Sequence, residues 1–168
     1  MEDKISQFFE SVGSFFSGGD PIPWCERDII IGCERELAEI SKGNSSESEK
    51  NECLMRLSWA LVHSRQPDDV QRGIAMLEAL LSKKNDELQT REMVYLFAVG
   101  NYRAGDYSRA RQYVDQSLKM APDWRQGLVL KKTIEGKIAK DGVIGIGITA
   151  TAVGLVVGGV AAAFARKN

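Results

Sequence analysis

The last part of the sequence contains a long uncharged stretch, which constrains the fold more than any other feature. Residues 143–164 include no Asp, Glu, Lys, Arg, Asn, Gln or His. These 22 residues would form a helix of about 33 Å, enough to cross a hydrocarbon core of about 30 Å. Because a lone segment in lipid must satisfy its own backbone hydrogen bonds, the sequence predicts one transmembrane helix. A core helix is the alternative, which the lack of any polar face disfavours.

The position of this stretch predicts the topology of a tail anchor. Only residues 165–168 follow it, so insertion after translation would leave the preceding domain in the cytosol. Basic residues stand on both sides, with Arg166 and Lys167 after the stretch, so the positive-inside rule does not decide the orientation. We expect residues 165–168 to form a short basic tail on the lumenal or intermembrane side.

Small residues recur along one face of the predicted transmembrane helix. They are Ala150, Gly154, Gly158 and Ala162. Such a ladder lets two membrane helices pack closely, which would give a homo-oligomer. The alternative is that the small residues only moderate the hydrophobicity of the anchor, and the sequence leaves both open.

Composition excludes several function classes for the remainder. The formal net charge is -1, whereas a nucleic-acid-binding protein needs a basic patch. The cysteines Cys25, Cys33 and Cys53 have no C-x-x-C spacing, and His63 is the only histidine. The sequence therefore predicts no metal site and no cofactor. With no phosphate-binding loop and no nucleophile–base pair, we expect a protein that is not an enzyme.

Apolar periodicity predicts an all-α fold of about six helices at residues 21–141, after an N-terminal arm at residues 1–20. No segment has the alternation of a strand. The first helix is predicted at 24–40 and the second from a capping box at Ser46 to about residue 64. Asp68 or Asp69 should cap the third, and the fourth should span 87–103 and end at Gly105. Asp106 should cap the fifth, to about residue 120, and the sixth should continue to about residue 140.

Residues 91–124 fit the 34-residue register of a tetratricopeptide repeat. Gly105 falls at the turn, Ala110 where two helices must approach closely, and Pro122 at the closing position. A weaker copy at about 54–87 places Gly73 37 positions before Ala110. The sequence therefore predicts a tetratricopeptide-like bundle of two degenerate repeats with a capping helix at each end.

Stacked repeats of this kind form a concave groove lined by the first helix of each pair, which can take a peptide from a partner. The alternative is that the lining residues only pack against a cap or the N-terminal arm. The register predicts that the lining residues are Met55, Ser58, Val62, Arg65, Glu92, Tyr95, Val99, Tyr102 and Arg103.

The order of these parts, together with several strings, resembles the mitochondrial fission 1 protein family, in particular its plant branch. The resemblance covers about residues 20–168. The strings are SWALVHS at 58–64, GIAMLE at 73–78, REMVYLFAVGNY at 91–102 and Asp141-Gly142 before the anchor.

This resemblance implies a receptor in the outer mitochondrial and peroxisomal membranes that recruits a dynamin-related GTPase or its adaptors. The groove would receive an adaptor or the N-terminal arm, and Arg166 and Lys167 would belong to the targeting signal.

A tail-anchored co-chaperone or import receptor that binds the C-termini of chaperones is the alternative function. It needs a cluster of Lys, Arg and Asn in the groove. The predicted face offers Arg65 and Arg103 but also Tyr95, Tyr102, Val62 and Val99, which favours an apolar peptide.

Overall fold

The structure is a computed structural model that describes residues 22–141. Apolar residues at helical spacing form helices throughout this part of the chain. The helices are α1 (Arg27–Lys42), α2 (Glu47–Val62), α3 (Pro67–Leu81), α4 (Glu87–Arg103), α5 (Tyr107–Met120) and α6 (Arg125–Asp141). Within these residues there is no strand. The prediction of six helices and an all-α fold is confirmed.

Local capping signals fix several helix ends where they were predicted. The Glu49 amide donates to Ser46 Oγ at 3.2 Å and the Ser46 amide donates to Glu49 Oε2 at 2.8 Å, which completes the capping box of α2. Asp106 Oδ1 accepts from the Arg109 amide at 3.1 Å and caps α5. Gly105, with φ of 83°, takes the left-handed conformation that ends α4.

Two predicted helix starts are wrong. The first helix begins at Arg27 and not at residue 24, because the preceding residues are non-helical and make tertiary contacts instead. The third helix begins at Pro67, with Gln66 at the N-cap position and no side-chain cap. Asp69 lies in the first turn of this helix, where it accepts hydrogen bonds from Ser64 in the preceding turn and from Arg27 of α1 instead of capping.

The helices stack in chain order, so that each one packs mainly on its neighbours in sequence. The hairpins α2–α3 and α4–α5 form the two central pairs, and α2 also contacts α4 directly. Helix α1 covers the outer side of the first pair and α6 covers the second. Every helix except α5 contributes to the largest fully buried apolar side chains. These include Ile30, Leu61, Leu77, Met93, Leu96, Leu130 and Ile134.

No helix in residues 22–141 is long and apolar enough to span a bilayer. The predicted N-terminal arm at 1–20, the predicted anchor at 143–164 and the basic tail at 165–168 lie outside the described residues. The same holds for Ala150, Gly154, Gly158, Ala162, Arg166 and Lys167.

Candidate partner-binding groove

The predicted groove residues divide into a buried and an accessible set. Met55, Ser58, Val62 and Val99 are buried, and Ser58 Oγ donates to the Leu54 carbonyl of its own helix at 2.7 Å. A partner could not contact these four side chains without displacing other parts of the fold. The remaining five keep some accessible surface and are here called the accessible set: Arg65 is exposed, and Glu92, Tyr95, Tyr102 and Arg103 are half-buried.

Val62 lies where three helices meet. A Cβ added to Gly73 on α3 would come within 2.8 Å of Val62 Cγ1, and one added to Gly100 on α4 within 3.2 Å. Because two glycines leave the space that Val62 fills, its burial follows from close helix approach.

At one end of the groove, Arg65 and Arg103 enclose Trp24. Arg103 Cζ lies 3.4 Å from the Trp24 ring centroid and Arg65 Cζ lies 4.6 Å from it. Arg103 Nη2 also donates to the Ile22 and Pro23 carbonyls at 2.8 and 3.2 Å. These contacts combine cation–π attraction with charge-assisted hydrogen bonds to backbone.

The chain held by these arginines, residues 22–25, is here called the leading segment. It lies across the C-terminal ends of α2 and α4, and the Cys25 amide donates to the His63 carbonyl at 2.8 Å. Ile22 is buried, at 1% exposure. Since proline disfavours helical conformation in the residue before it, Pro23 keeps the helix from starting at Ile22, and the non-helical segment makes tertiary contacts instead. The groove thus binds non-helical polypeptide through both backbone and side chains.

The other end of the groove, near the start of α4, carries Arg91, Glu92 and Tyr95 beside Trp124. The Tyr95 and Trp124 ring centroids are 4.8 Å apart, and Arg91 Cζ lies 4.5 Å from the Trp124 ring. Arg91 Nη2 lies 3.7 Å from Glu92 Oε1. Burial raises the pKa of Glu92, which Arg91 partly offsets, and burial raises the pKa of Tyr95 to about 12. This end offers a shielded carboxyl group beside aromatic surface.

Tyr102 lies beside Arg103 at the C-terminal end of α4 and packs against Tyr107 of α5, with ring centroids 5.6 Å apart. Its side chain is partly exposed. It therefore links the groove to the turn between α4 and α5.

The titratable groups beneath the groove are built for packing. His63 Nδ1 lies 2.7 Å from the Trp59 carbonyl oxygen and its ring stacks on Trp59, while burial lowers its pKa to about 3. The three cysteines are free and buried, and burial raises the pKa of Cys25 to about 12. A neutral imidazole and protonated thiols are poor nucleophiles and bases at neutral pH. Within residues 22–141 no group of His, Cys, Asp and Glu could hold a metal ion.

Sequence reasoning missed Trp24, Arg91 and Trp124. Trp24 falls inside the predicted first helix, although the proline at position 23 signals non-helical chain just before it. Trp124 is the last residue of the predicted repeat at 91–124. A large aromatic at such a boundary is a signal for a contact with the preceding pair, since aromatics dominate buried area.

Comparison with known families matches both helix pairs. Residues 52–84 match the Fis1 N-terminal tetratricopeptide repeat, and residues 91–143 match the Fis1 C-terminal tetratricopeptide repeat.

Similar proteins match over most or all of the sequence. Mitochondrial fission 1 protein A of Arabidopsis thaliana is 65% identical, with 100% of both chains covered. Mitochondrial fission 1 protein B of the same plant is 52% identical, over 99% of this chain and 100% of that one. The human mitochondrial fission 1 protein is 37% identical over 72% of this chain and 76% of its own length.

The fold is similar to that of solved structures. A crystal structure of yeast Fis1 in complex with an Mdv1 fragment superposes with a TM-score of 0.61 and 22% identity, covering 74% of this chain and 93% of that one. The solution structure of yeast Fis1 superposes with a TM-score of 0.61 and 21% identity, covering 77% and 85%. At this identity the likeness concerns the fold.

Proposed function

The chain belongs to the Fis1 family, and on that premise we propose that it is a non-enzymatic adaptor that promotes the fission of mitochondria and peroxisomes. Its groove would recruit a dynamin-related GTPase, directly or through an adaptor protein. A receptor held on a membrane raises the local concentration of its cytosolic partner there, which needs no chemistry from the receptor.

The observation that carries this proposal is the seating of the leading segment. Arg103 binds two consecutive backbone carbonyls, and Arg65 and Arg103 together enclose one aromatic ring. A surface that holds four residues of its own chain in this way has the chemistry to hold part of another chain.

The accessible residues at the start of α4 define what that partner would offer. Tyr95 and Trp124 present aromatic surface, which favours apolar side chains. The shielded Glu92 favours a Lys or Arg, because a basic partner would offset the cost that burial imposes on its charged form. We therefore propose a peptide with an apolar face and a basic residue.

A solved neighbour supports the same use of the fold. The yeast protein was crystallised with a fragment of Mdv1 that contains an N-terminal extension and a coiled coil. We propose that this chain likewise binds a helical or extended segment of an adaptor.

The proposed adaptor is held by a C-terminal anchor in the outer mitochondrial and peroxisomal membranes, with its helical domain in the cytosol. The uncharged residues 143–164 support this proposal. Ala150, Gly154, Gly158 and Ala162 would pack two anchors together, and Arg166 and Lys167 would contribute to targeting.

The positions of Arg65 and Arg103 disfavour the alternative function of a co-chaperone. Its carboxylate clamp would need Arg65 and Arg103, and both contact Trp24. A chaperone C-terminus would have to displace the leading segment before it could be bound.

The test uses the full chain, reconstituted in vesicles, as bait for a purified dynamin-related GTPase and its adaptor. The variants Tyr95→Ala and Glu92→Gln remove aromatic surface and the carboxylate at the open end of the groove. We expect each to weaken binding about tenfold, because a buried aromatic or charged contact contributes about 1–3 kcal/mol. Ile31→Ala is the matched control, since Ile31 is 41% exposed on α1 and lies outside the groove.

Binding by all variants at wild-type strength would contradict the groove proposal. Competition by an acidic C-terminal peptide, without recovery of the GTPase or adaptor, would favour the co-chaperone. Glu92→Gln keeps the side-chain volume, so it separates lost recognition from lost folding if Tyr95→Ala is unstable.

A further inference from the structure

The outer face of α6 has a small apolar surface that the proposed groove does not use. Leu128 is 48% and Val129 40% exposed, and in residues 22–141 only Ile31 on α1 is a comparably exposed large apolar side chain. Leu128 and Val129 lie about 100° apart around the helix, and Lys132, one turn further on, lies between them. The surface is therefore two apolar side chains around a basic one.

Gly136 leaves this face open. It lies one turn beyond Lys132, it is exposed, and no atom of the described residues lies within 4 Å of an added Cβ. Glycine is unfavourable inside a helix, and Gly136 lacks the packing reason of Gly127, whose added Cβ would meet Leu118 Cδ2 at 2.9 Å. The outer face therefore has room for a large side chain of another segment, such as an aromatic ring.

The net charge of α6 is positive. Arg125–Asp141 contains five basic and two acidic side chains, which gives a formal charge of +3. The acidic Glu135 lies beside Leu128, and its Oε1 is 3.4 Å from Arg111 Nη2 of α5. A segment that covers this face should therefore be apolar and acidic. The exposed basic residues of α6 are Arg125, Lys132, Lys137 and Lys140.

The N-terminal arm, residues 1–20, has this composition. Its four carboxyl side chains stand against one lysine, which gives a formal side-chain charge of −3. Its apolar residues recur at the spacing of an amphipathic helix, so they would share one face. These residues are Ile5, Phe8, Phe9, Val12, Phe15 and Phe16.

The arm joins the fold at the end of the stack where α6 ends. Residues 22–25 lie across the C-terminal ends of α2 and α4. The short connections after α4 and α5 make successive helices antiparallel, so α6 runs in the direction of α4 and Asp141 lies at the same end. Helix α6 contacts α4, and packed helices are about 8–10 Å apart. Residues 17–21 span up to about 17 Å and can bridge this distance.

A tethered segment suits a surface of this size. Two exposed apolar side chains offer far less than the roughly 800 Å² per partner that a stable interface between separate chains buries. A segment on a short linker has an effective concentration in the millimolar range, so a weak contact holds it. The size of the surface therefore favours the chain's own arm over a second copy or a free partner.

Charge disfavours two other surfaces for the arm. The groove is filled by the leading segment at one end and presents the carboxyl group of Glu92 at the other. Around Ile31 the exposed charges of both signs balance, so α1 does not attract an acidic segment. They are Glu26, Asp28 and Glu39 against Arg27, Arg35 and Lys42.

We propose that the N-terminal arm docks on the outer face of α6 as an amphipathic helix, with its aromatic side chains against Leu128, Val129 and Gly136. The opposite charges of the arm and α6 attract each other. Docked there, the arm covers the exposed end of the stack as a further capping helix. The open end of the groove, at Glu92 and Tyr95, stays free for a partner. This docking depends on neither the function nor the membrane attachment proposed above.

The test measures cross-linking within the full chain, reconstituted in neutral phosphatidylcholine vesicles. Ser11→Cys in the arm is combined with Ala139→Cys on the outer face of α6, with Ala38→Cys on α1, or with Gln89→Cys one turn before Glu92. Because the native thiols are buried, a short bis-maleimide joins the introduced pair. We expect the bond to position 139 to form about tenfold faster than the bond to position 38 or 89, since docking raises the local concentration.

Substitutions at two glycines separate docking from folding. Gly136→Gln fills the open surface and should slow the bond to position 139 about fivefold, as for the loss of one aromatic contact. Because Gln favours helix more than Gly does, this slowing could not come from unfolding. Gly32→Gln on α1 is the matched control, since no atom of the described residues lies within 4 Å of its added Cβ, and it should leave the rate unchanged.

Charge variants measure the electrostatic contribution. Lys132→Gln with Lys140→Gln should slow the same bond about fivefold, as for the loss of two exposed charge interactions. Lys42→Gln with Lys84→Gln changes the net charge equally at exposed positions away from α6 and should leave the rate unchanged.

The fastest bond at position 89 would overturn the proposal in favour of an arm that lies in the groove. Equal rates at positions 139, 38 and 89 would show that the arm does not dock. Bonds at position 139 that join separate chains, and that increase with protein density, would replace the arm with a second copy. Rates that Gly136→Gln and the lysine variants leave unchanged would also refute the proposal.

Discussion

The hairpins α2–α3 and α4–α5 reach the same packed arrangement with glycine in different places. In the first pair, glycine stands at the helix crossing, since a Cβ on Gly73 would lie 2.8 Å from Val62 Cγ1 and 3.0 Å from the Val62 backbone nitrogen. In the second pair the corresponding residue is Ala110, which is fully buried, and the glycine is in the turn at Gly105.

The two turns are held by different groups. In the first, Ser64 Oγ donates to Asp69 Oδ2 at 2.8 Å and accepts from the Gln66 amide at 3.1 Å. In the second, the left-handed Gly105 lets the Asp106 amide donate to the Asn101 carbonyl at 2.9 Å. The first pair therefore depends on side-chain hydrogen bonds in its turn and on close backbone contact at its helix crossing. The second pair depends on a backbone hydrogen bond in its turn and on a side chain, Ala110, at its crossing.

This difference teaches that a repeat register predicts where two helices meet but does not say which atoms meet there. Aligned positions such as Gly73 and Ala110 tolerate different substitutions, because a Cβ at position 73 would meet Val62 at 2.8 Å, whereas the second pair already accommodates the Cβ of Ala110. Three predictions test the comparison.

The largest effect is expected for Gly73→Val. The added side chain would collide with Val62 and with backbone, and overpacking of this kind costs about 3 kcal/mol in the free energy of unfolding. Urea unfolding of the full chain measures the loss. Gly32→Val on α1 is the matched control, because no atom lies within 4 Å of the added Cβ, and it should change stability by less than about 0.5 kcal/mol. Equal losses would contradict the close approach.

Alanine substitutions of the aligned acids Asp69 and Asp106 should lower the free energy of unfolding by amounts that differ about twofold. The Asp69 side chain is 6% exposed and binds Ser64, Arg27 and Arg72, so Asp69→Ala should cost about 2 kcal/mol and leave the Ser64 hydroxyl without its acceptor. Asp106→Ala removes a helix cap and an exposed ion pair with Arg109, and should cost about 1 kcal/mol. The shift in urea midpoint compares them, and a larger loss at Asp106 would reverse our account of the two turns.

The first pair should also make the stability of the fold sensitive to acid, through His63 at the end of α2. His63 has a folded-state pKa of about 3, below its unfolded value near 6.5. As pH falls from about 6.5 toward 3, the unfolded state binds a proton that the folded state excludes, so stability is present above this range and is lost within it. Between about pH 7.5 and 5.5 we expect a loss of about 1.4 kcal/mol.

His63→Gln supplies the control for this titration, because it should flatten the stability profile over the same range. As the pH is lowered to 5.5, backbone amides at the end of α2 should lose protection from hydrogen exchange before those of α5 do. A profile that the substitution leaves unchanged would place the titration elsewhere.

The sequence predicted the features that depend on neighbouring residues. The capping box at Ser46, the cap at Asp106 and the turn at Gly105 are each decided within a few positions, and all three are confirmed. The predicted start of α1 was wrong because Arg103 holds Trp24 and the Pro23 carbonyl, and no local pattern reports contacts that span 79 and 80 positions.

The groove could also be predicted only in part, because it depends on contacts between residues far apart in the sequence. The register selected faces of α2 and α4 from periodicity, yet the depth at which each side chain lies depends on distances between helices. Val62 is buried because Gly73 and Gly100 let two further helices approach it. Tyr95 on α4 is half-buried beside Trp124, which lies between α5 and α6. Whether the accessible set binds a partner stays a prediction.

The contact between Arg103 and Ile22 has a consequence for cooperativity. In an array whose layers touch only their neighbours, unfolding can begin at either end and leave the rest intact. Arg103 joins residues 81 positions apart, so the end of α4 is bound to the chain that precedes α1. Fraying of the chain that precedes α1 therefore also breaks contacts at the end of α4, which couples the start of the fold to the second helix pair.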